Sequence, residues 1–391
     1  MSHPFIPYGR QTITEGDIEA VHNVLTSPFL TQGPVVPEFE SSFAQSVSAR
    51  YSVAVNSATS ALHIACLALG LGPGDWLWTS PNTFVASANC GRYCGADIDF
   101  VDIDPKTYNM CVNALSEKLI KAEKIGKLPK IVVPVHFAGQ PCDMPAIHKL
   151  SKQYGFKILE DASHAIGASY NKTKVGSCAH SDITVFSFHP VKIITTAEGG
   201  MALTNCKEIA EKISRLRTHG ITNDITKMKD RPIDEIWNYQ QVDLGFNYRM
   251  NDIQAALGLN QMKRLDEYVQ RRHVLAKYYD TQLKDFPIIT PWQTPNTYSS
   301  YHLYPILINV NSDVKTQRQI YDELKENKIA VNLHYIPVHR QPYYENLGFN
   351  KNDFPIAERL HQKILSIPMY PTLHNKHKEY VVEALRKVMN S

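Results

Sequence analysis

The sequence lacks the cysteine pattern and the charge imbalance that mark several classes of protein. Its 7 cysteines are scattered through 391 residues, and none forms a C-x-x-C pair. This spacing argues against a disulfide framework or a cysteine-bound metal and predicts reduced thiols in a cytoplasm. The 41 basic residues are nearly balanced by 38 acidic ones, which leaves a formal net charge of +3. So weak a field does not favour a protein that binds nucleic acid.

Long apolar runs are also missing. Residues 1–10 contain no apolar core of the kind that a signal peptide needs. The longest uncharged stretch, 51–74, is broken by polar residues at 56–60 and by Gly70, Gly72 and Pro73. Its helical part falls far short of the roughly 20 apolar residues that cross a bilayer. We therefore predict a globular protein without a membrane span, long enough for two or three domain-sized units.

Residues 50–205 alternate between short β-branched runs and helical patterns. This alternation is typical of βα units that stack into a mostly parallel sheet. We predict strands at 52–55, 98–103, 131–136, 157–160, 183–188 and 200–204. The predicted fold class is therefore α/β.

The pattern changes after residue 205. A helix is predicted at 209–216, and the polar stretch 223–241 is too long for an ordinary connection, so we interpret it as a functional loop or an arm towards a neighbouring subunit. One or two long helices at 251–283 should lead to a smaller α+β domain. That domain is predicted from short runs at 303–310 and 330–333, a helix near 316–327 and two terminal helices. We place the division between a large domain with an N-terminal segment, 1–255, and a small one, 256–391.

The segment Val55-Asn-Ser-Ala-Thr-Ser-Ala-Leu62 is a candidate cup for a phosphate group. A short strand passes there through small polar residues into a helix, so free N–H groups and the positive end of the helix dipole would face an anion. A run of this kind before a helix is, by itself, more often only an N-cap.

A candidate anion, Asp161, ends the predicted strand 157–160. The carboxyl end of a parallel strand opens onto the crevice where such sheets bind ligands. Glu160 should point to the opposite face, because successive strand residues alternate. The competing interpretation, that Asp161 caps a following helix, is favoured when the residue is considered alone.

A candidate amine and a candidate flat surface complete the set. Lys192 lies in the loop Ser187-Phe-His-Pro-Val-Lys-Ile-Ile-Thr-Thr-Ala-Glu-Gly-Gly200, which has few charged neighbours. A lysine in a cramped, partly apolar loop becomes neutral and nucleophilic more easily than one in water, although most lysines are only surface charges. Phe84, in Ser80-Pro-Asn-Thr-Phe-Val-Ala-Ser87, follows the cup by one unit and could equally be a core residue. A phosphate cup, an anion, an amine and a flat surface are the four requirements of pyridoxal phosphate.

These motifs, in this order, closely resemble the DegT/DnrJ/EryC1/StrS family of aminotransferases, which act on nucleotide-linked keto-sugars. The likeness runs from about Tyr8 to Pro371. It implies the fold of the type I pyridoxal-phosphate enzymes, with Lys192 as the Schiff-base lysine and Ser187 near the phosphate. It also implies Asp161 as the partner of the pyridinium nitrogen, His164 beside the ring, and Ala58 and Thr59 in the phosphate loop.

The resemblance implies a homodimer with a shared active site. Gly245-Phe-Asn-Tyr-Arg-Met-Asn-Asp252 resembles the family segment that crosses to the partner chain, so Asn247 would complete the partner's phosphate cup. Arg249 is a candidate for an anionic group of the donor or nucleotide, or else for a structural ion pair. The resemblance also implies the residues of the sugar-nucleotide site: Tyr8, Pro28, Phe29, Leu30, Thr31, Asn332, Leu333, His334 and Tyr335.

The expected reaction is transfer of an amino group from L-glutamate to the C4 ketone of a UDP-linked 6-deoxy-N-acetylhexosamine. Three alternatives remain open at this stage. A sister enzyme could take a dTDP sugar or a D-series UDP sugar, and the cofactor motifs do not separate these. A dehydratase of the family would carry histidine in place of Lys192. A non-catalytic sensor with the same fold would not need Lys192 and Asp161. No metal site is expected, since Cys178 and His180 have no recognisable ligand spacing with other residues.

Overall fold

The computed structural model describes residues 4–229, 235, 237–309 and 315–390. The first half of the described chain alternates helices and strands in the manner of βα units. Its helices are α1 (Glu15–Leu25), α2 (Val35–Val47), α3 (Ala58–Ala68), α4 (Ala86–Tyr93), α5 (Val112–Lys124), α6 (Met144–Tyr154) and α7 (Lys207–Leu216). Its strands are β1 (Tyr51–Val55), β2 (Trp76–Thr79), β3 (Asp97–Phe100), β4 (Ile131–Val133), β5 (Lys157–Asp161), β6 (Ser169–Tyr170), β7 (Thr173–Lys174), β8 (Ile183–Ser187) and β9 (Gly200–Thr204).

Seven of these strands form the central sheet in the order β1-β9-β8-β5-β4-β2-β3. The pairs from β8 to β3 are parallel, whereas β9 is antiparallel to both β1 and β8. Both faces are covered: Ile131 and Val133 pack into one apolar cluster, and Val132 between them packs into another. The topology brings the carboxyl ends of β1, β5 and β8 to the same edge as the start of β9.

The predicted strands are largely confirmed, one strand of the central sheet was missed, and the strand predicted at 98–103 runs from Asp97 to Phe100. The prediction at 200–204 matches β9, and those at 52–55, 157–160 and 183–188 differ from β1, β5 and β8 by one residue at one end. Strand β4 ends at Val133 rather than at residue 136, because Pro134 has no N–H for the ladder. Strand β2 was not predicted, because its sequence, Trp-Leu-Trp-Thr, is not a β-branched run. Its first residue, Trp76, is only half-buried, and Lys127 lies over the Trp76 ring at 5.3 Å.

The second half contains the helices α8 (Asp252–Met262), α9 (Leu265–Gln282), α10 (Gln317–Glu326), α11 (Pro342–Glu345), α12 (Pro355–His361) and α13 (Asn375–Asn390). Its strands are β10 (Ile221–Thr222), β11 (Gln240–Gln241), β12 (Ile288–Ile289), β13 (Thr297–Tyr298), β14 (Tyr304–Ile308) and β15 (Ile364–Ile367). The 251–283 prediction thus becomes two helices, α8 and α9. The end of the run predicted at 303–310 and part of the arm at 223–241 lie outside the described residues.

A small antiparallel sheet, β12-β14-β15, forms the second core together with α10 and α13. Ile6, from the N-terminal segment, is fully buried in that core and bridges to Ile329. The chain before α1 therefore packs on the C-terminal part. The run predicted at 330–333 forms only an isolated bridge between Asn332 and Ser366. None of the helices in the described part of the chain is long and apolar enough to cross a membrane.

Candidate active site

The turn after β1 forms the predicted cup. Ser57 caps α3, since its hydroxyl accepts a hydrogen bond from the N–H of Ser60 at 3.1 Å. The N–H groups of Ala58 and Thr59 belong to the first turn of α3, where no intrahelical acceptor exists. Gly200 lies directly against this turn: a Cβ atom added there would be 2.6 Å from the nitrogen of Ala58. The cup therefore has a free donor surface and a close-fitting base.

Asp161 closes β5 and is held from both sides. Ser87 Oγ donates to Oδ2 at 2.6 Å, while the N–H and the hydroxyl of Ser163 donate to Oδ1 at 3.1 and 2.6 Å. No helix begins after Asp161, so the capping alternative is wrong. Glu160 points to the opposite face, as predicted, where it accepts a hydrogen bond from His136 at 2.7 Å. The carboxylate of Asp161 is thus presented to the pocket in a fixed orientation.

Lys192 lies in the loop between β8 and β9 and lines the same pocket as Asp161. Its backbone N–H donates to the carbonyl of His189 at 2.8 Å, which closes a turn around the side chain. Burial lowers the pKa of Lys192 to about 8, and the nearby Asp161 carboxylate opposes that fall. The unprotonated fraction of the amine near neutral pH is therefore far larger than that of an ordinary lysine, although the protonated form still prevails.

A wall of neutral aromatic side chains faces Lys192. The hydroxyl of Tyr335 and Nε2 of His164 are 3.0 Å apart, and the ring of His302 lies 4.4 Å from that of His164. Burial, with Lys192 and His334 nearby, holds the pKa of His164 well below its ordinary value. Burial likewise raises the pKa of Tyr335, and the charge of Asp161 adds to the rise. The wall therefore adds hydrogen-bonding atoms to the pocket without adding charge.

The C-terminal part of the chain supplies another side of the pocket. His334 Nδ1 is 2.9 Å from Ser366 Oγ, and burial next to Lys192 lowers the pKa of His334 to about 3. The ring of Tyr8 lies 5.6 Å from that of His334, and the carbonyl of Tyr8 accepts from the N–H of Met369 at 2.9 Å. Residues from both ends of the chain thus meet at one wall.

One cavity of about 420 Å³ contains most of the predicted site. It is lined by twelve residues that the sequence predicted: Tyr8, Ala58, Thr59, Phe84, Asp161, His164, Ser187, Lys192, Asn332, Leu333, His334 and Tyr335. Phe84 is 59% exposed at its mouth, so the alternative of an ordinary core residue is wrong. His302 and Glu198 also line the cavity and were not predicted.

Six predicted residues lie outside this cavity. Pro28 and Phe29 line a separate apolar groove beside α1, α2 and α8, and Leu30 and Thr31 are exposed next to it. Asn247 is exposed, and its carbonyl accepts from Asn56 at 3.4 Å, whereas Arg249 bridges to Val55 through its backbone. Within one chain, these residues do not line the pocket that contains Lys192.

The cavity fits a flat, phosphorylated pyridine. The cup offers N–H groups over a base that tolerates only glycine, which suits a phosphate. Nδ1 of His164 and Nδ1 of His302 are buried and have no hydrogen-bond partner among the described residues, so the wall has atoms available for a polar substituent of the ring. When bound, pyridoxal phosphate supplies an electron sink for a carbanion; Ala58 and Thr59 would hold its phosphate, Asp161 its ring nitrogen and Lys192 its aldehyde carbon.

The mostly parallel sheet, with Lys192 and Asp161 at one edge, is the fold and site of the pyridoxal-phosphate-dependent aminotransferases, as its likeness to solved structures of that class shows. The DegT/DnrJ/EryC1/StrS aminotransferase family matches residues 11–386, and the chain belongs to that family. It is a sugar aminotransferase that uses pyridoxal phosphate.

The chain is similar to several known proteins over nearly its whole length. It is 38% identical to the spore coat polysaccharide biosynthesis protein SpsC of Bacillus subtilis, over 98% of this chain and 97% of that protein. It is 35% identical to the UDP-4-amino-4,6-dideoxy-N-acetyl-beta-L-altrosamine transaminase of Campylobacter jejuni serotype O:2, again over 98% and 97%. Among solved structures, Helicobacter pylori PseC, an aminotransferase of pseudoaminic acid biosynthesis, gives a TM-score of 0.89 at 31% identity, over 99% of this chain and 100% of that one.

Proposed function

We propose that the enzyme transfers the amino group of L-glutamate to the C4 ketone of a UDP-linked 4-keto-6-deoxy-N-acetylhexosamine. The product would be UDP-4-amino-4,6-dideoxy-N-acetyl-β-L-altrosamine, a precursor of pseudaminic acid. Pseudaminic acid would in turn serve surface glycans or the glycosylation of flagellin. The enzyme itself would work in the cytoplasm. The observation that carries the transamination is the meeting of Lys192 and Asp161 in one pocket beneath the cup at Ala58. The 35% identity to a transaminase with that product supports the choice of sugar.

Lys192 is the proton carrier in this proposal. In the first half-reaction its amine, with a pKa lowered to about 8 by burial, would take the proton from Cα of the donor and pass it to the reacting carbon of the cofactor. In the second half-reaction it would take a proton from that cofactor carbon and pass it to C4 of the sugar. Ser87 and Ser163 hold the two oxygens of Asp161 in place, and Asp161 would be the partner of the ring nitrogen in both halves. His164 and Tyr335 stay neutral beside the lysine, so the wall adds no second positive charge that would compete with it for Asp161.

A homodimer would complete the site. L-Glutamate carries two carboxylates and a UDP-sugar carries a diphosphate, yet Lys192 is the one lysine or arginine among the described residues that line the pocket. The side chains of Phe246 and Tyr248 pack against the core. Because side chains alternate along extended backbone, those of Asn247 and Arg249 face the other way, towards the outside. We infer that Asn247 and Arg249, together with Pro28, Phe29, Leu30 and Thr31, serve the pocket of a second subunit.

A second candidate acceptor is a different nucleotide-linked keto-sugar. The 38% identity to SpsC, a protein of spore coat polysaccharide synthesis, favours this alternative. A dTDP sugar or a D-series UDP sugar would leave the roles of Lys192 and Asp161 unchanged, and would differ only at the wall formed by Tyr8 and 332–335.

The experiment compares acceptors after one measured half-reaction. Purified enzyme with pyridoxal phosphate is mixed with L-glutamate, and the loss of the cofactor's visible band is recorded beside Lys192→Ala. UDP and dTDP keto-sugars are then added singly, and the return of the band and the mass of the amino-sugar are measured. Return with the UDP-4-keto-6-deoxy-N-acetylhexosamine of the L series supports the proposal. Return with only a dTDP or D-series sugar rejects the acceptor, and an unchanged band with L-glutamate rejects the donor.

A further inference from the structure

His302 lines the pocket that contains Lys192. Among the described residues, no hydrogen bond joins His302 to the cup or to the lysine loop. It is 4% exposed and belongs to the segment between β13 and β14, far along the chain from the β5 and β8 ends that carry the reaction. Its ring lies 4.4 Å from that of His164 with a 42° tilt. Its main contact with the site is therefore made through His164.

His164 is itself held at three points. Tyr335 OH lies 3.0 Å from Nε2, Ser300 Oγ donates to the backbone carbonyl at 2.7 Å, and His302 packs on the ring. Two of these three contacts, Ser300 and His302, come from one short segment. The direction in which His164 presents its unpartnered Nδ1 to the pocket thus depends on where that segment lies.

The segment is fixed from behind by a buried arginine. Arg272 of α9 is 1% exposed, and its Nη1 donates to the carbonyls of Tyr301 at 3.1 Å, His302 at 3.1 Å and Met369 at 2.8 Å. The N–H of Ser300 also donates to the carbonyl of Gly139 at 3.1 Å. The backbone of His302 is therefore clamped between α9 and the loop after β4, and its ring has little freedom to move away from His164.

We propose that His302 is a positioning residue for transamination: Arg272 holds its backbone, so its ring stays against His164 and fixes His164, and through it the hydroxyl of Tyr335, at the wall of the pocket that would hold the cofactor. The absence of charge on this wall agrees with the assignment. Burial, together with His164 and Lys192 nearby, holds the pKa of His302 well below its ordinary value, so the two neighbouring rings do not repel each other.

The test is a double-mutant cycle that joins His302→Ala to Tyr335→Phe. His302→Ala should weaken binding of pyridoxal phosphate by the apo-protein and slow the conversion by L-glutamate, each by roughly tenfold, the scale of coupling within one contact network. His302→Phe keeps a ring against His164 and should restore most of both. In a Tyr335→Phe background, His302→Ala should add less than about twofold, because the hydroxyl that His164 positions is already gone.

His273 provides the matched control. Its Nε2 donates to the carbonyl of Ser299 at 2.7 Å and its ring stacks on Tyr298 at 4.1 Å, so it supports the same segment, but it does not line the pocket. His273→Ala should lower the melting temperature while leaving cofactor affinity within about twofold of wild type. Three outcomes would each overturn the proposal. The losses of the two single variants could multiply in the double variant, or His302→Phe could be as defective as His302→Ala. In the third outcome, His273→Ala would lose as much cofactor affinity as His302→Ala.

The inference rests on the proposed function only for the L-glutamate measurement. If wild type binds pyridoxal phosphate but L-glutamate leaves the band unchanged, the proposed donor is wrong. The cofactor affinities of the five variants still decide the role of His302 in that case, because they are measured without any donor.

Discussion

The hydroxyl of Ser87, on α4, donates to the carboxylate of Asp161, on β5, over 2.6 Å, and Thr83 Oγ1 lies 2.8 Å from the same hydroxyl. These hydrogen bonds, with those from Ser163, hold the Asp161 carboxylate in one orientation. Its negative charge is therefore placed in advance of cofactor binding, which is the arrangement that electrostatic catalysis requires.

Asp161→Asn should slow the L-glutamate half-reaction by about 100-fold or more, because the charge opposite the ring nitrogen is lost. Ser87→Ala leaves the charge but frees its orientation, and should cost roughly tenfold. Stopped-flow absorbance of the cofactor band measures both. Ser46→Ala is the control, since Ser46 donates to the carbonyl of Phe43 within α2. A Ser87→Ala rate equal to that of the control would show that Asp161 does not need this support.

The uptake of pyridoxal phosphate by the apo-protein should depend on pH through Lys192. The amine attacks only when unprotonated, and burial lowers its pKa to about 8, so the rate should rise with pH and level off above about 8. The Asp161 carboxylate raises that pKa, and Asp161→Asn should therefore move the midpoint to lower pH. A midpoint near the value of a free lysine, or an upward move in the variant, would contradict the assignment of Lys192.

Gly200→Ala should damage the cup directly. The added methyl group would lie 2.6 Å from the backbone nitrogen of Ala58, and backbone does not yield as a flexible side chain does. We expect a loss of stability of about 1–3 kcal/mol, the usual cost of overpacking, together with weaker cofactor binding. Urea denaturation and a cofactor titration measure the two effects. Gly72→Ala is the control, because a Cβ there meets nothing within 4 Å; similar behaviour of the two variants would refute the close contact.

Arg272→Met should destabilise the protein, although it removes a buried charge that has no carboxylate partner among the residues that the structure describes. Burial lowers the pKa of Arg272 to about 9, so its desolvation is costly, but three carbonyls would lose their donor. At about 1 kcal/mol for each carbonyl, the lost hydrogen bonds should prevail, with a net cost of roughly 1–3 kcal/mol.

The control for Arg272→Met is the neighbouring Arg271, which is exposed and forms an ion pair with Glu267 at 2.6 Å. Arg271→Met should change the free energy of unfolding by no more than about 0.5 kcal/mol. A stabilised Arg272→Met variant would mean that the desolvation cost exceeds the value of the three hydrogen bonds.

The candidate residues of the cup, the anion and the amine were predictable, because each lies next to or at the end of a strand or helix that the local sequence indicates. Asp161 ends a strand, Ala58 begins a helix after one, and Lys192 lies in a loop between two strands, so each strand prediction placed a candidate at the same edge. His302 had no such pattern. It reaches the pocket only because Arg272 and Ser300 draw a distant segment against His164, and those contacts depend on tertiary packing.

The fold shows the same division between local and long-range information. The hydrophobic runs of β5, β8 and β9 predicted strands, whereas no local signal indicated that β9 returns antiparallel between β8 and β1. The N-terminal segment was assigned to the large domain because it precedes it in sequence. Ile6 nevertheless packs with the C-terminal core, since its apolar surface is buried there against Ile329.

The pairing of Val55 with Gly200 also determines when the cup can exist during synthesis on the ribosome. The turn at Ala58 emerges early, but β9, which forms its base, is translated only after the intervening βα units. Contacts so distant in sequence form late, and they leave earlier apolar strands without their final neighbour in the meantime. A nascent chain halted before residue 200 would therefore expose the edge of β1 and hold no cofactor. The first strand of the central sheet to be synthesised, β1, is paired only after the last one, β9, has been made.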